Sequence, residues 1–221
     1  MTKSLLTFLL LLAATTLNAQ NSYKPQRGDI LFQGAGNSEF SKSIAASTTA
    51  DTVEFRPIHV AFIIHAADTP EKTFLIEAEP KLGVCITPLD LFLKKSAKTP
   101  DGKPKVTVKR LLAQHNSPQL TANAAKLALQ LIGRPYDWVF LSGNDDYYCS
   151  ELIQLSFLKP DGTYMFPYEP LNFTGPDGNV LPFWQKIYDS RGVDVPQGQP
   201  GTSPVGILNS NLLYTVHTYW K

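Results

Sequence analysis

Cys149 stands where a Gly/Asp-rich loop, residues 133–146, gives way to the helix-forming run Ser150-Glu151-Leu152-Ile153-Gln154. A cysteine attacks a carbonyl as its thiolate, and a free thiol near neutral pH is mostly protonated. A helix N-terminus favours the anion, and its unpaired backbone N–H groups can form part of an oxyanion hole. The chemistry also needs a histidine to take the proton and a third polar group to orient it. His59 opens the run His59-Val60-Ala61-Phe62-Ile63-Ile64, and Glu77 lies in Leu75-Ile76-Glu77-Ala78. Both runs read as strands, and adjacent antiparallel strands can set the two side chains side by side on one face. A carboxylate there fixes the imidazole tautomer and stabilises the imidazolium. Each residue also has a plainer reading: a core cysteine at a helix start, a strand histidine bonded to a backbone carbonyl, a rim glutamate paired with lysine.

Positioning these groups requires a set of short elements. Gly28-Asp29 turns into a strand ending at Gln33, and Ser38 is a candidate N-cap for a short helix to Ala46. Runs 58–65, 73–78 and 83–87, with Asp68-Thr69-Pro70 as a turn, predict an antiparallel meander. A short helix over 89–95 and a strand over 106–111 follow. Ser117-Pro118 opens a helix expected from Gln119 to Ile132, with Leu120, Ala124, Leu127 and Leu131 at helical spacing and Gly133 as its stop. A second helix should run from Cys149 to Leu158. The tail, 161–221, reads as ordered loops with a helical piece over 183–190 and a strand over 212–218.

The chain has 221 residues, 43% hydrophobic and 18% charged, with a net charge of +1. That suits one globular domain with a sizeable core and lacks the clustered basic surface of a nucleic-acid binder. Lys3, the apolar run Leu5–Leu12 and Leu17-Asn18-Ala19 have the form of a secretory signal peptide cleaved after Ala19. The expectation is an exported protein, periplasmic or secreted, soluble once residues 1–19 are removed, with 20–221 as one domain. A disulfide between Cys85 and Cys149 is the alternative to two free thiols, but a domain of this size needs no staple.

Taken together, the motifs resemble those of NlpC/P60 papain-like domains. Gly133-Arg134-Pro135-Tyr136 and Cys149-Ser150-Glu151-Leu152 look like the first half of that pattern. Gly28-Asp29-Ile30-Leu31-Phe32, His59-Val60 and Leu75-Ile76-Glu77-Ala78 look like the second half. The halves stand in reverse order, which resembles the circularly permuted YiiX/YaeF-like (YebB-type) group, where Tyr-Cys-Ser-Glu-Leu is a typical nucleophile signature. The resemblance covers about residues 27–160, and more loosely 203–213. It implies an α+β permuted papain-like fold, with an antiparallel barrel-like sheet packed on the nucleophile helix. It also implies Cys149 as nucleophile, His59 as general base and acid, and Glu77 as orienting residue. Glu77 replaces the third histidine of unpermuted NlpC/P60 domains and Glu151 replaces a glycine, so the resemblance leaves their peptidoglycan specificity open.

Tyr136, Tyr148, Gln33 and Glu151 are the candidates for touching substrate. His65, His115 and His217 have no partner pattern, no residues have metal-ligand spacing, and no cofactor is expected. Arg27-Gly28-Asp29 reads as a turn. The expected reaction is hydrolysis of an amide, in a cell-wall peptide, an amino-acid amide or an N-acyl lipid, through a Cys149 thioester. The alternatives are a lipid-directed acyl hydrolase or acyltransferase of the lecithin:retinol acyltransferase type, and a non-catalytic binding domain. For the lipid reading, Tyr164, Phe166, Tyr168, Phe173, Phe183 and Trp184 could supply an apolar acyl pocket, and core packing explains the same aromatics equally well.

Overall fold

The structure is a computed structural model that describes residues 23–48 and 55–221. The signal-peptide reading, and most of the polar loop before His59, lie outside the described residues. Gly28 (φ +90°) is required where it stands: a Cβ there would meet the Thr121 methyl at 2.3 Å. Asp29 is fully buried and is held by the Arg110 guanidinium (Nε–Oδ1 2.5 Å) and the Tyr23 hydroxyl (2.7 Å). The Gly-Asp pair is therefore a turn and an anchor, and β1 (Ile30–Gly34) starts from it.

The elements that follow are α1 (Glu39–Ser47), β2 (Pro57–His65), β3 (Phe74–Glu79), β4 (Gly83–Pro88), α2 (Leu89–Lys95), β5 (Val106–Leu111) and α3 (Pro118–Leu129). After them come α4 (Cys149–Ser156), β6 (Glu169–Pro170), α5 (Pro182–Asp189), β7 (Pro200–Gly201), α6 (Pro204–Leu208) and β8 (Leu213–Thr218). The described residues form an antiparallel sheet in the order β4-β3-β2-β1-β5-β8, with β4 and β8 as its edges, and β6 pairs with β7. The expected meander is β2-β3-β4, and Ser38 caps α1 by accepting the Ser41 N–H.

Both faces of the sheet are buried. Ile30, Phe32, Val60, Phe62 and Ile76 pack with Leu152, Ile153 and Phe157 of the α4 segment. Leu31, Ala61, Ile63, Leu75 and Val108 pack with Leu89 and Phe92 of α2. Alternation along each strand produces the two cores. Phe157 is fully buried, with its ring edge-on to Phe62 at 5.0 Å, and such burial contributes roughly 1.5–3 kcal/mol. The α+β class expected from the sequence is the one observed.

α3 ends three residues earlier than expected. Leu129 and Ile132 are exposed, and the Gly133 N–H is drawn to the Val84 carbonyl at 2.9 Å, while Arg134 returns a carbonyl to the Val84 N–H. Gly83 permits that approach, since a Cβ there would meet the Arg134 carbonyl oxygen at 2.1 Å. The loop that leads to Cys149 is thus stitched to β4. Asp137 organises its far side, accepting the N–H groups of Val139 (2.8 Å) and Leu141 (2.9 Å).

Candidate active site

Cys149 is the first residue of α4, and 4% of its surface is exposed. Tyr148, at the N-cap, has extended backbone and gives no side-chain cap. Instead the buried Glu151 carboxylate reaches back to the Tyr148 N–H and takes the Ser142 hydroxyl. That is the glutamate half of a capping box. Burial, with the Asp137 charge, pushes the Glu151 carboxyl up to about 8.

β2 and β3 pair with Phe62 opposite Ile76 and Ile63 opposite Leu75. Alternation then puts His59 and Glu77 on one face, a diagonal step apart. Their side chains meet: His59 Nε2 and Glu77 Oε2 are 2.6 Å apart, and both residues are buried. The Thr87 hydroxyl donates to the other carboxylate oxygen, Oε1. α4 packs against β2 and β3, which brings the Cys149 thiol close enough to His59 to act on its protonation together with Glu77. With Nε2 taken by Glu77, Nδ1 is the ring nitrogen left for the sulfur.

Electrostatics follow from this chain of contacts. Burial disfavours the His59 cation, but Cys149 and Glu77, through their contacts and negative charge, outweigh it, raising His59 from 6.5 to about 10. Burial likewise opposes ionisation of Glu77, yet His59 and Thr87 hold it below its ordinary value. Cys85, opposite Glu77 on β4, is a free, half-buried thiol, raised by burial and by the Glu77 charge. The disulfide alternative is not formed, because both thiols are free.

The structure brings Cys149, His59 and Glu77 together. Tyr136 also belongs to the site, lining a cavity with Cys149. Tyr148 lines it as well, and its hydroxyl accepts the N–H of Thr202, another lining residue, at 3.0 Å. Glu151 does not line the cavity; its carboxylate caps the helix, and its Oε2 is buried with no hydrogen-bond partner among the described residues. Gln33 lies opposite His59 in the β1–β2 register, but its amide donates to the Phe92 carbonyl of α2 at 3.1 Å. Thr87 was missed by sequence reasoning. Its signal was the β4 alternation, which sets Cys85 and Thr87 on the face that carries Glu77.

The C-terminal extension is clasped to the nucleophile helix. Besides the Tyr148–Thr202 bond, the Ser150 hydroxyl donates to the Thr202 carbonyl at 3.1 Å. Trp184 Nε1 donates to the Ser47 hydroxyl (3.0 Å) and the Asn172 amide to the Ser47 carbonyl (2.7 Å). Of the aromatics proposed as an acyl pocket, Phe173 and Trp184 line the Cys149 cavity. Tyr164 and Tyr168 pack on each other, and Phe183 packs on Phe40 and Trp184.

An uncharacterised protein, YiiX of Escherichia coli K12, is 25% identical over 202 residues, covering 90% of this chain and 89% of that protein. A crystal structure described as the metalloprotein YiiX from Escherichia coli O157:H7 superposes with a TM-score of 0.68. It is 26% identical and covers 90% of this chain and all of that one. Among the described residues here, no group of three or more His, Cys, Asp and Glu gathers closely enough to hold an ion, so the residues present do not form a metal centre. The sequence profile of a family described as permuted papain-like amidases, YaeF/YiiX, C92, matches residues 24–217, and the chain belongs to that family.

Proposed function

We propose that this protein hydrolyses an amide through a thioester on Cys149, with His59 as base and acid and Glu77 as the group that orients it. The observation that carries this reading is one buried imidazole bonded to a buried carboxylate and lying beside the thiol at the start of α4. His59 takes the Cys149 proton, the sulfur attacks the amide carbon, and a tetrahedral oxyanion forms. As it collapses the C–N bond breaks, and His59 passes the proton to the departing amine. Water then gives its proton to His59 and attacks the thioester. The C–S bond breaks, the proton returns to sulfur, and acid and amine are the products.

The oxyanion is met by the N–H of Cys149 at the helix start, where backbone donors lack intrahelical partners. Tyr136 is the second donor. Burial, and then the Cys149 charge, push its phenol well above its ordinary value, so it keeps its proton beside the sulfur. The leader-like residues 1–19 support export. Among the described residues no helix is long and apolar enough to cross a membrane.

The test is turnover of a panel of aminoacyl and N-acyl p-nitroanilides, with intact-mass analysis of the protein. The expected result is p-nitroaniline release, an acyl mass on Cys149 and neither with Cys149→Ala. Release that persists in Cys149→Ala overturns the reading.

A further inference from the structure

We infer that the departing amine carries an anionic group, a carboxylate or a phosphate, held in a lysine-lined cleft on the His59 side of the site; this rests on the thioester mechanism proposed above. In that mechanism the C–N bond breaks beside His59, which protonates the amine. Whatever the amine carries therefore lies on the His59 side of Cys149. A cleft of about 360 Å³ opens there. Gln33, which faces His59 in the β1–β2 register, lines it, as does Ile58, the residue before His59. Ile58 also borders the cavity that Cys149 lines, so the two spaces adjoin.

The charge of the cleft is one-sided. Lys95 at the end of α2, Lys98 in the loop after it and Lys105 just before β5 line it, and among the described residues no aspartate or glutamate does. Over the whole chain the signs nearly cancel, with 20 lysines and arginines against 19 aspartates and glutamates. Three unopposed cations in one concavity are thus a local excess, and a concave wall of one sign concentrates the opposite ion. Among the described residues neither Lys95 nor Lys105 is in an ion pair. Lys98 Nζ donates to the Leu93 carbonyl and the Ser96 hydroxyl, which fixes where its charge stands. The start of α1 borders the same space through Asn37 and Ser38, and a helix start also favours an anion.

The frame of the cleft is set before a ligand arrives. The Gly34 N–H donates to the Lys105 carbonyl at 2.8 Å, and the Lys105 N–H to the Ala97 carbonyl at 2.7 Å. The Gly36 N–H donates to the Ser41 hydroxyl at 2.7 Å. These bonds tie the end of β1, the start of α1 and the lysine-bearing segment together, which lowers the ordering cost of binding. A cationic amine is repelled there, and a neutral one meets no partner for the lysine charge. The anionic group makes and breaks no bond: water and the amide still give an acid and an amine, and the lysines seat the amine half.

The experiment holds the acyl group fixed, as the one whose p-nitroanilide is cleaved fastest, and varies the amine. Amides of glycine and glycinamide form one pair, those of O-phosphoethanolamine and ethanolamine a second, and the ethylenediamine amide is the cationic member. kcat/KM is read by mass spectrometry of the released acid. At low salt an anionic amide should exceed its neutral partner by about tenfold or more, the scale of one hydrogen bond to a charged group. The pair that shows the larger preference identifies carboxylate or phosphate. The preference should shrink severalfold between about 50 mM and 500 mM salt. Lys95→Gln and Lys105→Gln should each lower the anionic-over-neutral ratio about threefold, and Lys95→Glu combined with Lys105→Glu should turn it toward the ethylenediamine amide. Ratios are compared because the Lys95 charge also reaches Glu77, and thermal unfolding shows which variants are folded. Equal rates within both pairs, or a ratio unchanged in both folded glutamine variants, overturn the inference and leave the mechanism standing. So does an amide series left intact while p-nitroanilides are cleaved. A p-nitroanilide panel with no cleavage overturns the mechanism itself.

Discussion

On one side of Cys149, His59, Glu77 and Thr87 form a chain of buried polar groups, each hydrogen-bonded to the next. On the other side, Phe173, Trp184 and Val205 present hydrocarbon to the cavity that Cys149 lines. The first region comes from neighbouring strands of one meander. The second is assembled from segments more than a hundred residues apart, such as Trp184 on Ser47. The contrast divides the labour of the site. The sheet side sets the charge and direction of the imidazole, and in the proposed mechanism the rate depends on both. The extension side borders the thiol with hydrocarbon and is bonded to the nucleophile helix through Thr202.

The largest effect should come from breaking the sheet side at its charge. Glu77→Gln keeps the shape but removes the carboxylate that holds the imidazolium, and an uncharged partner can select the wrong tautomer. kcat/KM should fall about 10²- to 10⁴-fold, as for the equivalent change in a serine triad. The same variant moves the pH dependence. His59 is raised, so the stability it contributes is complete below its ordinary 6.5 and is lost as pH rises through about 10. In Glu77→Gln that loss, and the alkaline limb of the rate profile, should shift to lower pH, as read by thermal unfolding and kinetics from pH 6 to 11.

Breaking the extension side should look different. Trp184 is 2% exposed, and truncation of such a residue costs about 3–5 kcal/mol. Trp184→Ala should lower stability in denaturant titrations by that amount. The alkaline limb should stay where it is. If Trp184→Ala moves that limb as far as Glu77→Gln does, the two regions are not separate.

A smaller change sharpens the sheet side alone. Thr87→Val removes one donor to Glu77 and should cost about tenfold in kcat/KM. The alkaline limb should move part of the way seen in Glu77→Gln. Thr87→Ser should restore both, which a merely structural role for the side chain would not require.

How far the sequence carries one follows the same division. His59, Glu77 and Cys149 were legible because each sits on a short element whose pattern is local: two alternating strands joined by a turn, and a helix start after a Gly/Asp loop. The family resemblance placed them in permuted order. Thr87 was hidden because its role depends on the β3–β4 register, which sets Glu77 opposite Cys85. Gln33 illustrates the limit from the other direction. Its strand position was right and it does face His59 in register, but the Phe92 carbonyl takes its amide. The cavity was least legible. Six tail aromatics looked equivalent as sequence, and it is the fold that puts Phe173 and Trp184, the latter bonded to Ser47, on the cavity that Cys149 lines.

The central claim is that His59 activates Cys149, and the second thiol provides an internal control. Cys85 is the more exposed of the two, so accessibility alone would make it the first to react. The direct measurement is the rate of iodoacetamide alkylation at each cysteine at pH 7, followed by peptide mass spectrometry, with and without His59→Ala. Cys149 should react at least tenfold faster than Cys85 despite its burial, and the advantage should vanish in His59→Ala. Equal rates at the two thiols, or a Cys149 rate that His59→Ala leaves unchanged, would contradict it.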